Sequence, residues 1–319
     1  MAAQRLQAGD RAGPYDLELG AAMAAAFARA TLDDTPQYAD GTALPPTAIA
    51  TQTYAAQLAA IVELVPERIF ATVRGGVHGR HDLVLHRPIR PDEVLHTLAE
   101  VHSARLSRDN LRVTLLHRTS DAGGALVAEQ WWTTVLLGAG TVADETGPDL
   151  PGQDNTRWDE DTVVTEEVIP VDTAMAHAYA EVSGDYSAHH FDVEAARASG
   201  FAGPFLHGLC TMALCARAVV GTVCPDDPSR LRRLAVQFAS PAYVGQALSV
   251  RVCRLGEDRY GFEATSGDEG AVVIRRGLAE LRTGTGGEDD GRRTGPSAAA
   301  LEMSDSRQPG AAGPGTLGP

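Results

Sequence analysis

The sequence contains no lysine. All 27 of its basic residues are arginine, which reads as a GC-rich coding bias rather than a functional feature. Cysteine is scarce: Cys210, Cys215, Cys224 and Cys253 are the full set, and their spacings fit no zinc motif. Cys210 and Cys215 fall in an apolar helical run, where a thiol behaves as a small hydrophobe. All four are therefore expected to be reduced, as in a cytoplasmic protein. No apolar run reaches about 18 residues, which argues against a membrane-spanning helix. The opening residues, MAAQRLQAGDRAGPYD, lack the apolar core of a secretory signal. Positive charge is also short. A net charge of −15 excludes a broad nucleic-acid face, because tracking phosphates needs a basic surface. A small anion held by a local arginine cluster is still allowed. What remains, 44% hydrophobic and 22% charged, is the composition of a soluble globular protein.

Two stretches carry little to bury. Residues 138–158 are rich in Gly, Pro and Asp and read as a linker. Residues 284–319 are rich in Gly, Pro, Ser and Ala and read as a disordered tail. They leave two blocks, 14–137 and 159–283, and the blocks resemble each other. FARATLDDTPQY (27–38) aligns without a gap on YAEVSGDYSAHH (179–190), setting Phe27 on Tyr179, Ala28 on Ala180 and Asp33 on Asp185. Pro46 and Pro204 each precede an apolar helical run. LVLHRPIRPDEVL (83–95) aligns on VQFASPAYVGQAL (236–248), setting Pro88 on Pro241. Landmarks in the same order at similar spacing indicate a duplicated unit, too long a period for a solenoid.

Each block reads as one long helix followed by strands. Residues 47–64 and 205–221 are apolar on most sides, the mark of a buried helix. After each come three β-branched runs split by turn signals: 94–106, 110–120 and 125–137, then 247–255, 259–267 and 271–282. The expected fold class is α+β, a long buried helix wrapped by an antiparallel sheet, occurring twice. That is a double hot dog. The Trp131-Trp132 pair lies in one strand run, so one ring should face the core and the other away from it.

Chemistry concentrates in Tyr179–Thr211. Asp185 lies five residues before His190, and Gly203-Pro204 leads to His207-Gly208 at the start of the second apolar helix. An acid, a base and a helix N-terminus suffice to add or remove water at a carbonyl-activated carbon. The pattern Tyr179-Ala180-x-x-Ser183-Gly184-Asp185-x-Ser187-Ala188-His189-His190 resembles the hydratase 2 motif of MaoC-like, (R)-specific enoyl-CoA hydratases and dehydratases. Phe205-Leu206-His207-Gly208-Leu209-Cys210-Thr211 and Phe238-x-x-Pro241-x-x-x-Gly245-x-x-Leu248 resemble later parts of the same family pattern.

The resemblance implies reversible hydration of a trans-2-enoyl thioester to its (R)-3-hydroxyacyl form. Asp185 and His190 would be the acid–base pair and the Gly208 backbone N–H the donor to the thioester oxygen, with Gly184, Ser187 and His207 supporting. It implies no cofactor beyond the thioester carrier, CoA or an acyl-carrier protein, and it allows a homodimer. Alternatives are a carrier-protein dehydratase and a non-catalytic acyl-thioester-binding hot dog. No metal is expected. Ser187 stands where the family has Asn, Ala188 where it has Pro, and His189 where it has Leu or Ile. In the first block Tyr38 stands opposite His190, and Ile49 and Ala50 opposite His207 and Gly208. That half is therefore expected to do no chemistry and to serve acyl binding instead. Arg230, Arg232 and Arg233 are candidates for the carrier's phosphates; an exposed strand entry is the competing reading.

Overall fold

The computed structural model describes residues 5–141, 143–150 and 160–283. Residues 151–158 of the expected linker and the whole 284–319 tail lie outside the described residues. In the first half, β1 (Arg11–Leu17) leads into helices α1 (Ala21–Ala30), α2 (Pro36–Ala39), α3 (Ala48–Leu64) and α4 (Glu67–Phe70). Strands β2 (Gly75–Leu85), β3 (Leu95–Ser107), β4 (Asn110–Asp121) and β5 (Leu126–Leu137) follow. The second half repeats the plan. It runs through β6 (Val163–Pro170), α5 (Thr173–Ser183), α6 (Val193–Ala198) and α7 (Gly208–Val223), then β7 (Leu231–Phe238), β8 (Ala247–Gly256), β9 (Arg259–Ser266) and β10 (Ala271–Leu281).

Among the described residues the strands make one ten-stranded sheet of order β1-β3-β4-β5-β2-β7-β10-β9-β8-β6. Read from either edge the order is the same, so the halves are related by a pseudo-twofold between β2 and β7. The sequence repeat locates that axis. Leu83 aligns with Val236, hence Asp82 with Ala235, and Asp82 and Ala235 are directly paired across β2 and β7. Each half thus wraps its own long helix, as a double hot dog requires. Helix α3 and the six expected strands lie within one residue of their expected bounds, while α7 begins three residues after the expected 205 and ends two after 221. The sequence reading undercounted strands, because each half has five. In β2, GGVHGRHDLVL, polar side chains face inward, which hides the apolar alternation that marks a strand.

The two long helices are packed differently. Helix α7 buries Cys210, Met212, Leu214, Cys215 and Val219 completely, and truncating such a side chain to alanine costs about 2–5 kcal/mol. All four cysteines are free and buried. Helix α3 instead presents Thr53 and Gln57 to a polar interior. Gln130 Nε2 donates to Thr53 Oγ1 at 2.8 Å, and His81 Nε2 meets Gln130 Oε1 at 3.1 Å. His117 Nε2 meets Gln57 Oε1 at 2.6 Å, and Gln57 Nε2 donates to Thr134 Oγ1 at 3.0 Å. Burial holds both imidazoles neutral, pushing His81 down to about 4 and His117 to about 3.

Candidate active site

The site is built at the C-terminal end of α5. Gly184 ends the helix in the left-handed region (φ 71°), a conformation glycine adopts without a Cβ clash. That turn delivers Asp185. Ser187 then folds back on it, its amide 3.1 Å and its hydroxyl 2.6 Å from Asp185 Oδ1. A single 3₁₀ turn, Ala188–His190, carries the imidazole back toward the carboxylate.

His190 is buried, and its Nδ1–H donates to the Phe205 carbonyl at 2.8 Å. That bond fixes the tautomer, because a carbonyl only accepts. The lone pair on Nε2 therefore faces Asp185 Oδ2, 3.6 Å away. The separation is too long for a direct hydrogen bond and leaves both atoms available to one small polar molecule. Burial works to raise the Asp185 pKa, but the neighbouring His190, the Ser187 hydroxyl and His207 outweigh it and hold the carboxyl well below its usual range. Asp185 is therefore ionised at physiological pH.

His207 caps the site from the helix side. Its Nε2–H donates to the Asp185 carbonyl at 2.9 Å, and its ring stacks on that of His190 with centroids 3.7 Å apart. Burial, with help from His190, pushes it down to about 4, so it is neutral at physiological pH. Its Nδ1 is buried without a partner. Gly208 follows as the first residue of α7, where a backbone N–H has no intrahelical acceptor and lies at the positive end of the helix dipole. A Cβ there would stand 3.4 Å from the Phe238 ring and 3.6 Å from His78 Cβ. Both belong to the wall facing the helix entry, and His78 stacks on Trp132 at 4.5 Å.

The structure therefore gathers Gly184, Asp185, Ser187, His190, His207 and Gly208 around one spot. His189 stacks on Phe205 instead, ring centroids 5.1 Å apart. Asp185, His190 and His207 each offer a ligand atom, all within 4.8 Å of one another, the one described cluster with metal-like spacing. The two imidazoles of this cluster lie nearly parallel, 28° apart.

The arginine cluster sits elsewhere, toward the opposite end of β7 from Phe238. Arg230 pairs with Asp258 at 2.7 Å, Arg232 with Glu280 at 2.8 Å, and Arg233 with Asp82 at 2.8 Å. Residues from the first half that border the site, Thr51, Tyr54, His78 and Trp132, carry no local motif. Of these only Trp132 stood out in the sequence. It is buried, as one member of the tryptophan pair was expected to be.

Residues 155–275 match the MaoC like domain. The chain is 23% identical over 204 residues to "Probable enoyl-CoA hydratase 2" of Dictyostelium discoideum, covering 64% of this chain and 69% of that protein. It is 29% identical over 222 residues to "3-hydroxyacyl-thioester dehydratase Y" of Mycobacterium tuberculosis, covering 65% and 73%. Among solved structures, a MaoC-like dehydratase from Phytophthora capsici superposes with a TM-score of 0.73 at 22% identity, covering 89% of this chain and 99% of that one. A Mycobacterium tuberculosis protein described as a double hot dog superposes with a TM-score of 0.55 at 15% identity, covering 87% and 97%. A shared fold and a matching family model agree: residues 155–275, in the second half of this chain, are similar to the MaoC like domain.

Proposed function

We propose that the protein is a hydro-lyase that interconverts trans-2-enoyl-CoA and (R)-3-hydroxyacyl-CoA. The observation that carries this reading is the pairing of Asp185 Oδ2 with His190 Nε2 across 3.6 Å, next to the first N–H groups of α7. A water bound to both atoms is polarised for attack on the β-carbon. The thioester oxygen, bound to the Gly208 N–H, takes up the negative charge that develops as the C–O bond forms. Losing one such donor in other enzymes costs about 3–4 kcal/mol. A proton then reaches the α-carbon from the same side, so that H and OH add across one face of the double bond. Dehydration runs through the same steps backward.

No cofactor enters this chemistry; CoA is part of the substrate. The first half supplies walls rather than acid or base, since Tyr38 takes the place of the imidazole. Its His78 and Trp132, with Phe238 of the second half, border the entry where the acyl group meets α7. We also propose a cytoplasmic location, and the fold allows a homodimer. The decisive experiment follows enoyl absorbance over a panel of enoyl-CoA chain lengths, with chiral analysis of the product. Formation of the (R)-3-hydroxyacyl thioester supports the reading. Thiol release without hydration, or binding without loss of absorbance, overturns it. A dehydratase of carrier-protein substrates is the second reading, favoured by the likeness to a 3-hydroxyacyl-thioester dehydratase. Turnover only of carrier-borne substrate would select it.

A further inference from the structure

Helix α5 runs into the loop that carries the acid, and its last turns are held from the other half of the chain. The final carbonyls of a helix have no intrahelical donor. In α5 the Val182 carbonyl, three residues before Asp185, accepts from Gln52 Nε2 of α3 at 3.2 Å. One turn earlier the Tyr179 hydroxyl lies 2.6 Å from Thr51 Oγ1, a bond buried between the same two helices. Positions 179 and 182 are three apart and share a face of α5, so two consecutive residues of α3 grip two successive turns. The Tyr179 ring also packs against His207, with centroids 5.2 Å apart. His207 in turn holds the Asp185 carbonyl and stacks on His190.

We propose that Thr51 and Gln52, from the half that lacks the acid–base pair, are positioning residues of the active site in the other half: they clamp the last turns of α5 and so fix where Asp185 stands opposite His190. The proposal rests on the hydratase reading above. Its physical need is local. Asp185 sits between the left-handed Gly184 and a short turn through Ser187, Ala188 and His189 that has no proline to restrict its backbone. The bonds that Ser183 and Ser187 make with Asp185 close within that loop. They shape it, but they do not anchor its root. The two bonds from α3, a 17-residue helix on which Thr51 is buried, tie the root of the loop to the rigid part of the fold.

The test uses Thr51→Val and Gln52→Met, which keep side-chain size and remove the hydrogen-bonding group. Each should lower kcat about three- to ten-fold, the worth of one ordinary hydrogen bond. KM should stay within about two-fold, because both residues act on α5 and not on the substrate. Thr51→Ser, which keeps the hydroxyl, should retain most of the activity. Thr51→Val also leaves the Tyr179 hydroxyl buried without its partner and should melt earlier. Adding Tyr179→Phe removes that orphan, so the midpoint should recover while kcat stays low. Wild-type kcat in both single variants, a loss wholly in KM, or a kcat that recovers with the midpoint overturns the proposal. Gln52 is only partly buried, so its variant keeps the test open if Thr51→Val does not fold. A second measurement does not depend on activity. The Gly184 amide donates to the Ala180 carbonyl at 2.8 Å, and its hydrogen exchange should quicken about ten-fold in Gln52→Met while amides of α7 keep their rates. Unchanged exchange at Gly184 overturns the clamp. If wild type turns over no enoyl thioester, the hydratase reading fails and takes the positioning role with it, whereas the exchange rates still decide whether α3 holds α5.

Discussion

His190 Nε2 and Asp185 Oδ2 face each other across 3.6 Å, and each is oriented by a bond made elsewhere. The Phe205 carbonyl takes the imidazole Nδ1–H, and Ser187 takes the other carboxylate oxygen. Two acceptors thus converge on one spot without neutralising each other, which is what a shared water requires.

Removing either member should stop the chemistry and spare the fold. Asp185→Asn and His190→Gln are each expected to lower kcat at least about 100-fold, the usual range for acid–base groups, with unchanged circular dichroism. Steady-state kinetics on a purified variant checks this, and full activity in either would remove the pair from the mechanism.

Gly208→Ala separates folding from catalysis. The added methyl meets the Phe238 ring at 3.4 Å and His78 at 3.6 Å, close but ordinary contacts, and alanine is favoured over glycine in a helix by up to about 1 kcal/mol. Stability should hold or rise slightly, while kcat/KM falls about ten-fold, because the methyl crowds the approach to a backbone N–H that alanine retains. Parallel thermal melts and kinetics read the two effects independently.

Ser187→Ala removes the 2.6 Å hydroxyl bond to Asp185 and leaves the backbone amide in place. A bond to a charged acceptor contributes about 1.5–3 kcal/mol, so kcat should drop about ten-fold or more. Ser187→Asn, restoring the residue of the family pattern, should retain more activity than Ser187→Ala. The ranking of the three kcat values is the check.

Asp82 lies on the pseudo-twofold, buried, bidentate to Arg233 and 3.5 Å from Arg80. Asp82→Ala leaves buried guanidinium charge without its main partner, a change that costs about 3–5 kcal/mol. Urea denaturation should register a loss on that scale. An unchanged midpoint would mean that Glu280, 3.5 Å from Arg233, compensates fully.

Acid should unfold the protein through its buried imidazoles. His81 and His207 are depressed to about 4 and His117 to about 3, from an unperturbed 6.5. Below 6.5 the unfolded chain binds protons that the folded chain refuses. The stability these residues carry is whole above 6.5 and is lost as pH falls toward 4, at about 1.4 kcal/mol per pH unit for each. Urea midpoints measured between pH 7.5 and 4.5 should fall accordingly, and His81→Gln should fall less steeply.

The site was largely legible in the chain because its parts are local. Gly184, Asp185, Ser187 and His190 sit in one short loop, and His207-Gly208 opens the next long helix. The two buried helices announced themselves by apolar residues on all sides, and the duplication by landmarks at matching spacing. Strands β2 and β7 were harder to see, because at the centre of the sheet their neighbours come from the other half. Two of their polar residues, Asp82 and Arg233, pair with each other across that boundary.

The sequence by itself determined which half holds the acid, the base and the helix entry, since each depends on side chains a few residues apart on one turn. The tertiary structure alone decided what surrounds them. His190 rather than His189 faces Asp185 because the single 3₁₀ turn sends the two neighbouring rings to different partners. Arg233 is bound to Asp82 because two strands far apart in the chain pair at the sheet centre. Thr51 meets the Tyr179 hydroxyl because the two halves share one core, and such contacts leave no trace in local spacing.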